Sequence, residues 1–195
     1  SLEETKDLLS IVDKDLFRLK VGKQLFTSQG PKAIDKLRSL GFDIFLDLKL
    51  HDIPNTVSKS LANICNLGVW MSNIHLLGGQ EMIEAASSTV KRSNSEMILV
   101  GVTILTSLNE NNLVDLGFNS SAEEITVKLA KLGKQNGIDG VVCSIEDVSG
   151  IKASLGGDFL SVTPGVRMLQ DNYDQKRSGS ILSLIHISEP TRPLH

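Results

Sequence analysis

Apolar positions along this chain change period repeatedly, from stretches spaced three and four residues apart to short continuous runs. The first pattern is that of an amphipathic helix, the second that of a strand covered on both faces. Helices are predicted over 1–14, 31–40, 54–67, 80–92, 122–136 and 146–155. Several end at a glycine (Gly41, Gly68, Gly137, Gly156), where a left-handed cap suits a residue without Cβ. Strands are predicted over 17–21, 43–48, 69–76, 97–105, 140–144 and 159–163. Six strands alternating with helices predict parallel βαβ units, hence the α/β class.

Two architectures compete for such a chain. The open doubly wound sheet usually carries a Gly-rich turn after its first strand, and none is present. Polar residues instead recur at predicted strand ends: Lys20, Asp47 and Lys49, His75, Thr103 and Thr106, Ser144, and Thr163. A (β/α)8 barrel assembles its site from many strand ends, so the barrel is favoured. A complete barrel takes about 250 residues. At 195 residues, opening on the capping-box pattern Ser1 to Glu4 rather than on a signal peptide, this one is expected to be incomplete, with about six of eight strands and the first and last missing.

Composition narrows the function classes. Hydrophobic residues at 41% and charged residues at 22% suit a globular domain, and no apolar run approaches the span of a membrane. A net charge of -3 with one Trp and one Tyr offers nucleic acid neither a basic stripe nor a stacking platform. Cys65 and Cys143 lack metal-type spacing and read as reduced thiols of a cytoplasmic protein.

The sharpest local feature is Phe45-Leu-Asp47-Leu-Lys49-Leu-His51-Asp52-Ile-Pro54-Asn55-Thr56. Strand alternation sends Leu46, Leu48 and Leu50 to one face and Asp47 and Lys49 to the other. In a barrel the leucines meet the helices and the charges point inward. A buried ammonium is costly without carboxylates, and Asp47 and Asp52 flank this one. Held protonated, Lys49 would suit a proton donor or a stabiliser of developing negative charge. A plain salt bridge at the strand-to-helix junction, with Asp52 near the helix that Pro54 opens, is the alternative.

This segment closely resembles the orotidine 5'-phosphate decarboxylase family in its bacterial form. Further matches are Leu19-Lys20-Val21-Gly22, Asn73-Ile-His75 with Gly78-Gly79, and Val102-Thr103-Ile-Leu-Thr106-Ser107. Asp139-Gly-Val-Val-Cys143-Ser144, Val162-Thr-Pro164-Gly165-Val-Arg167 and Asp174-Gln175-Lys176-Arg177 extend the likeness to about residue 178. The resemblance implies a carboxy-lyase of pyrimidine biosynthesis, a cytoplasmic homodimeric barrel converting orotidine 5'-phosphate to UMP without metal or organic cofactor. It implies Lys49 as donor of a proton to C6, Asp47 beside the substrate carboxylate, and Asp52 and Thr56 reaching the neighbouring subunit's site. Lys20 would contact the ribose, Thr106 the pyrimidine, and Pro164, Arg167 and Gln175 the phosphate side.

Departures and rivals accompany the resemblance. The family usually has a carboxylate where Trp70 stands and small residues at Leu76 and Leu77. Its first strand, with another aspartate, and its last, with a phosphate-clamping Gly-Arg pair, have no counterpart, so this stretch alone is expected to be inactive. His51 is expected to face away from the charges and His75 to be a hydrogen-bonded strand-end residue. From Leu182 to Arg192 the sequence resembles a translated sequencing adapter, with a proline-broken loop as the alternative. Residues 1–179 are therefore expected to form the partial barrel and 180–195 a non-native tail. Two rivals remain: a Mg2+-dependent sugar-phosphate decarboxylase or aldolase sharing the Asp-x-Lys-x-x-Asp strand, and a barrel that binds nucleotide phosphate without turnover.

Overall fold

The structure, a computed structural model, describes residues 9, 11–167 and 179–180. Most of the helix expected over 1–14, Gln175 and the adapter-like stretch lie outside the described residues. Two compact units divide the chain: Ser1–Ile74 with Glu81–Leu99, and His75–Gln80 with Val100–His195.

In the first unit, β1 (Leu19–Gly22) pairs parallel with β2 (Ile44–Leu50), in register from Leu19 on Ile44 to Gly22 on Asp47. On its other side β2 pairs parallel with β3 (Met71–His75), setting Phe45 opposite Met71 and Leu46 opposite Ser72. The start of β4 (Ile98–Val102) lies alongside, where Ile98 N–H donates to the Trp70 carbonyl at 2.9 Å. Helices α1 (Lys23–Gln29), α2 (Pro31–Ser39), α3 (Pro54–Asn66) and α4 (Gln80–Arg92) make the connections. Pro31 and Pro54 open α2 and α3, where a missing N–H costs nothing because the first turn has no partner for it. Val57, Leu61 and Ile64 recur at helical spacing on α3 and are buried, as are Ile44 and Leu46 on β2. Each such aliphatic side chain contributes about 1.5–3 kcal/mol on full burial.

The second unit continues the same alternation. Its strands β4, β5 (Gly140–Val142) and β6 (Leu160–Val162) pair parallel in chain order, with Val100 opposite Gly140 and Gly140 opposite Leu160. At Gly140 a Cβ would stand 2.4 Å from Leu160 Cβ, so only glycine permits this strand spacing. The connecting helices are α5 (Glu110–Asp115), α6 (Ala122–Gln135) and α7 (Val148–Leu155). Ser121 and Glu124 form a reciprocal capping box that starts α6. A two-residue strand, β7 (Val166–Arg167), pairs parallel with β8 (Gly179–Ser180).

The predicted elements that fall on described residues are therefore present, with boundaries shifted by at most three residues. Two helices escaped the periodicity, α1 and α5. Helix α1 buries none of its side chains, and α5 buries only Leu113, so neither carries an apolar stripe. The polar stretch containing α5 starts at a second capping box, Asn109 with Asn112. Gly41, Gly68, Gly137 and Gly156 all have positive φ, as the predicted helix ends require.

Both departures from the family pattern have a physical setting. The Arg18 guanidinium carbon stands 4.4 Å from the centroid of the Trp70 ring, and Arg18 Nε lies 3.3 Å from Asp43 Oδ2. Trp70 thus meets a cation through its π face. Leu76, fully buried, occupies space left by two glycines: a Cβ at Gly101 would lie 2.4 Å from Leu76 Cδ2, and one at Gly133 3.2 Å away. Leu77 is exposed.

Candidate active site

Asp47 is the centre of the charged motif, and the strand order explains why. It sits where β1 ends opposite it and β3 runs on its other side, so neighbours reach it from both flanks. Lys49 Nζ donates to Asp47 Oδ1 at 2.6 Å, and Asn73 Nδ2 on β3 donates to the same oxygen at 2.6 Å. Lys20 Nζ on β1 stands 3.3 Å from Oδ2. One buried carboxylate therefore holds two ammonium groups and a carboxamide. Burial pushes the Asp47 carboxyl up, but hydrogen bonds from Lys49 and Asn73 and the charges of Lys49 and Lys20 outweigh it. The carboxyl is held below its ordinary value of 3.8.

The strand is not regular through the motif. Lys49 has φ 51°, in the left-handed region that a non-glycine residue enters at a cost of roughly 1–2 kcal/mol. Pairing with β3 shifts at the same place: Leu46 faces Ser72 but Leu50 faces Ile74, so four steps on β2 match two on β3. The simple alternation expected over Asp47 and Lys49 is thus broken at Lys49 by a bulge. Its backbone N–H leaves the ladder and donates to Asn73 Oδ1 at 2.7 Å. Asn73 itself is fully buried. Sequence reasoning gave it no role; its place at the end of an apolar run was the available signal.

The other sequence-predicted residues divide by location. Lys20, Asp47 and Lys49 are brought together, with the Lys49 side chain 30% exposed and the Lys20 side chain 56% exposed. Access combined with a fixed carboxylate is what a proton-donating ammonium needs. Asp52 does not join them: it is exposed, its Oδ1 accepts the Ile53 N–H at 2.7 Å, and among the described residues no ion pair links it to Lys49. Thr56, on the first turn of α3, is exposed as well, and so is His51. Thr106 follows β4 in the second unit and is half-buried; Pro164 lies in the turn after β6, and Arg167 is in β7. Among the described residues no cluster of three or more His, Cys, Asp or Glu could hold a metal ion, and no helix is long and apolar enough to cross a membrane.

Comparison with known proteins places this chain in a family. A family model described as "Orotidine 5'-phosphate decarboxylase / HUMPS family" matches residues 1–182. An orotidine 5'-phosphate decarboxylase of Marinomonas sp. is 42% identical over 179 residues, covering 91% of this chain and 76% of the relative. One from Carboxydothermus hydrogenoformans is 47% identical over 181 residues, 90% of this chain and 72% of the relative. This chain thus spans about three-quarters of the length of these relatives. The crystal structure of orotidine 5'-phosphate decarboxylase from Lactobacillus acidophilus superposes with a TM-score of 0.78 at 38% identity, over 85% of this chain and 76% of that one. The alternating units are accordingly those of an incomplete (β/α)8 barrel. The Asp47-centred strand ends, the matched span and the shared fold converge on one conclusion: this chain belongs to the orotidine 5'-phosphate decarboxylase family of carboxy-lyases.

Proposed function

We propose that this protein removes CO2 from orotidine 5'-phosphate to give UMP, with Lys49 as the proton donor. The observation that carries the reading is the single Asp47 carboxylate holding Lys20 and Lys49 at strand ends. Cleavage of the bond between C6 and the carboxylate leaves the electron pair on an sp2 carbon outside the ring π system. Because that pair cannot delocalise into the ring, a fixed ammonium stabilises the charge and then delivers its proton to C6. Lys49 is suited to both tasks because Asp47 fixes Nζ while part of the side chain stays accessible. Asp47 faces the departing carboxylate, and Lys20 binds the ribose.

In the same reading Thr106, Pro164, Arg167 and Gln175 bind the rest of the nucleotide. The distant phosphate contributes binding energy that is used at the reacting carbon. The exposure of Asp52 and Thr56 supports their service in the site of a second copy, in a cytoplasmic homodimer. Residues 1–179 belong to the barrel and 180–195 form a non-native tail.

The test is decarboxylation of orotidine 5'-phosphate by the full-length protein and by its Lys49→Ala variant. Turnover should vanish in the variant while UMP affinity stays within about tenfold, because only a transition-state interaction is removed. Appreciable turnover by Lys49→Ala would remove Lys49 from the role of proton donor.

A further inference from the structure

We propose that Asn73 is a positioning residue of this site: its one carboxamide sets both the backbone of Lys49 and the carboxylate of Asp47. The inference rests on the reading of Lys49 as proton donor. Three observations carry it. Asn73 Oδ1 accepts the Lys49 N–H at 2.7 Å, and Asn73 Nδ2 donates to Asp47 Oδ1 at 2.6 Å. Lys49 holds φ 51° at the point where the β2–β3 register slips. Asn73 is fully buried, so neither bond is exchanged for water.

The chemistry leaves little choice of residue. A backbone N–H can only donate and an ionised carboxylate can only accept, so the residue between them must offer one acceptor and one donor. That requirement also fixes the orientation of the amide. An aliphatic residue at 73 would strand the Lys49 N–H away from the ladder. An aspartate would accept from it but turn a second carboxylate on Asp47. With the amide in place, backbone and side chain of Lys49 are tied to the same two neighbours: N–H to Asn73, and Nζ to the Asp47 oxygen that Asn73 also holds. Strained backbone of this kind persists at functional sites where surrounding contacts over-determine it.

The experiment compares Asn73→Ala, Asn73→Asp and Lys49→Ala with the wild-type full-length protein, with orotidine 5'-phosphate as substrate. In Asn73→Ala, kcat should fall about 100-fold, the scale expected when a catalytic group is misplaced by about an ångström. KM and UMP affinity should change less than about threefold, since the lost interaction belongs to the transition state. The groups facing Asp47 are Lys49 on its own strand, Lys20 from β1 and Asn73 from β3. In Asn73→Asp the new carboxylate opposes ionisation of Asp47, so the acid limb of kcat should move to higher pH. A residue needed only for packing would leave that limb in place. The near-isosteric Asn73→Asp decides the matter if Asn73→Ala does not fold. Wild-type kcat in Asn73→Ala, or an unmoved acid limb in Asn73→Asp, overturns the proposal while an inert Lys49→Ala keeps the proton-donor reading intact. An active Lys49→Ala overturns both.

Discussion

Lys20 on β1 places its Nζ 3.3 Å from Asp47 Oδ2 on β2, while Lys49 Nζ holds the other oxygen, Oδ1, at 2.6 Å. The two lysines therefore share one carboxylate through different oxygens. Parallel pairing produces this geometry, since Lys20 is opposite Phe45 and Gly22 opposite Asp47. The long Lys20 side chain needs only to lean along the strand to reach the carboxylate.

The stability of this cluster should depend on acid in a defined direction. Burial raises the Asp47 pKa, but Lys49, Asn73 and Lys20 together bring it below 3.8. A group whose folded pKa is depressed stabilises the protein fully above its unfolded value and loses that stabilisation as pH falls through the folded one. Asp47→Asn should therefore cost about 1–3 kcal/mol near neutrality, the scale of a charged hydrogen-bonded group. The difference from wild type should shrink once the pH drops below 3.8. Urea unfolding of both proteins across that range checks it, and a gap that widens with acid would contradict the assignment.

Leu76 and Gly101 should be energetically coupled. Leu76→Ala should cost about 2–5 kcal/mol, because a fully buried leucine leaves a cavity. Gly101→Ala should cost about 1–3 kcal/mol, because its Cβ would overlap Leu76 Cδ2. In the Leu76→Ala background that second penalty should largely disappear, leaving a coupling of at least about 0.5 kcal/mol in the double-mutant cycle. Additive effects would mean that Leu76 does not occupy the glycine-lined space.

Decarboxylation should continue in excess EDTA. Asp47 already receives Lys49 and Asn73 on one oxygen and Lys20 on the other, so three of its four acceptor positions face nitrogen donors. A sugar-phosphate enzyme that uses Mg2+ needs carboxylate oxygen for the metal. Activity lost on chelation and regained with Mg2+ would shift the reaction to that branch.

Much of the architecture could be read from local pattern. Apolar runs bounded by glycine marked the strands, and Val57, Leu61 and Ile64 marked α3 by spacing alone. Asp47 and Lys49 stood out because two charges interrupt an apolar strand. Helices α1 and α5 did not, since a helix that buries at most one side chain leaves little apolar periodicity.

The order of elements and the identity of the charged pair are legible locally, since they depend on residues within one strand or one turn, and the family is legible from several such short motifs together. Tertiary structure decided how the pair is held. Lys49 and Asn73 are 24 positions apart, and Asp47 and Asn73 are 26 apart, so no local periodicity registers their contact. The slip between β2 and β3 and the left-handed turn at Lys49 likewise belong to the pairing of two strands. Asp52, close to Lys49 in sequence, faces the Ile53 N–H instead because the chain leaves the strand to begin α3. Proximity along the chain set the candidates, and strand pairing selected among them.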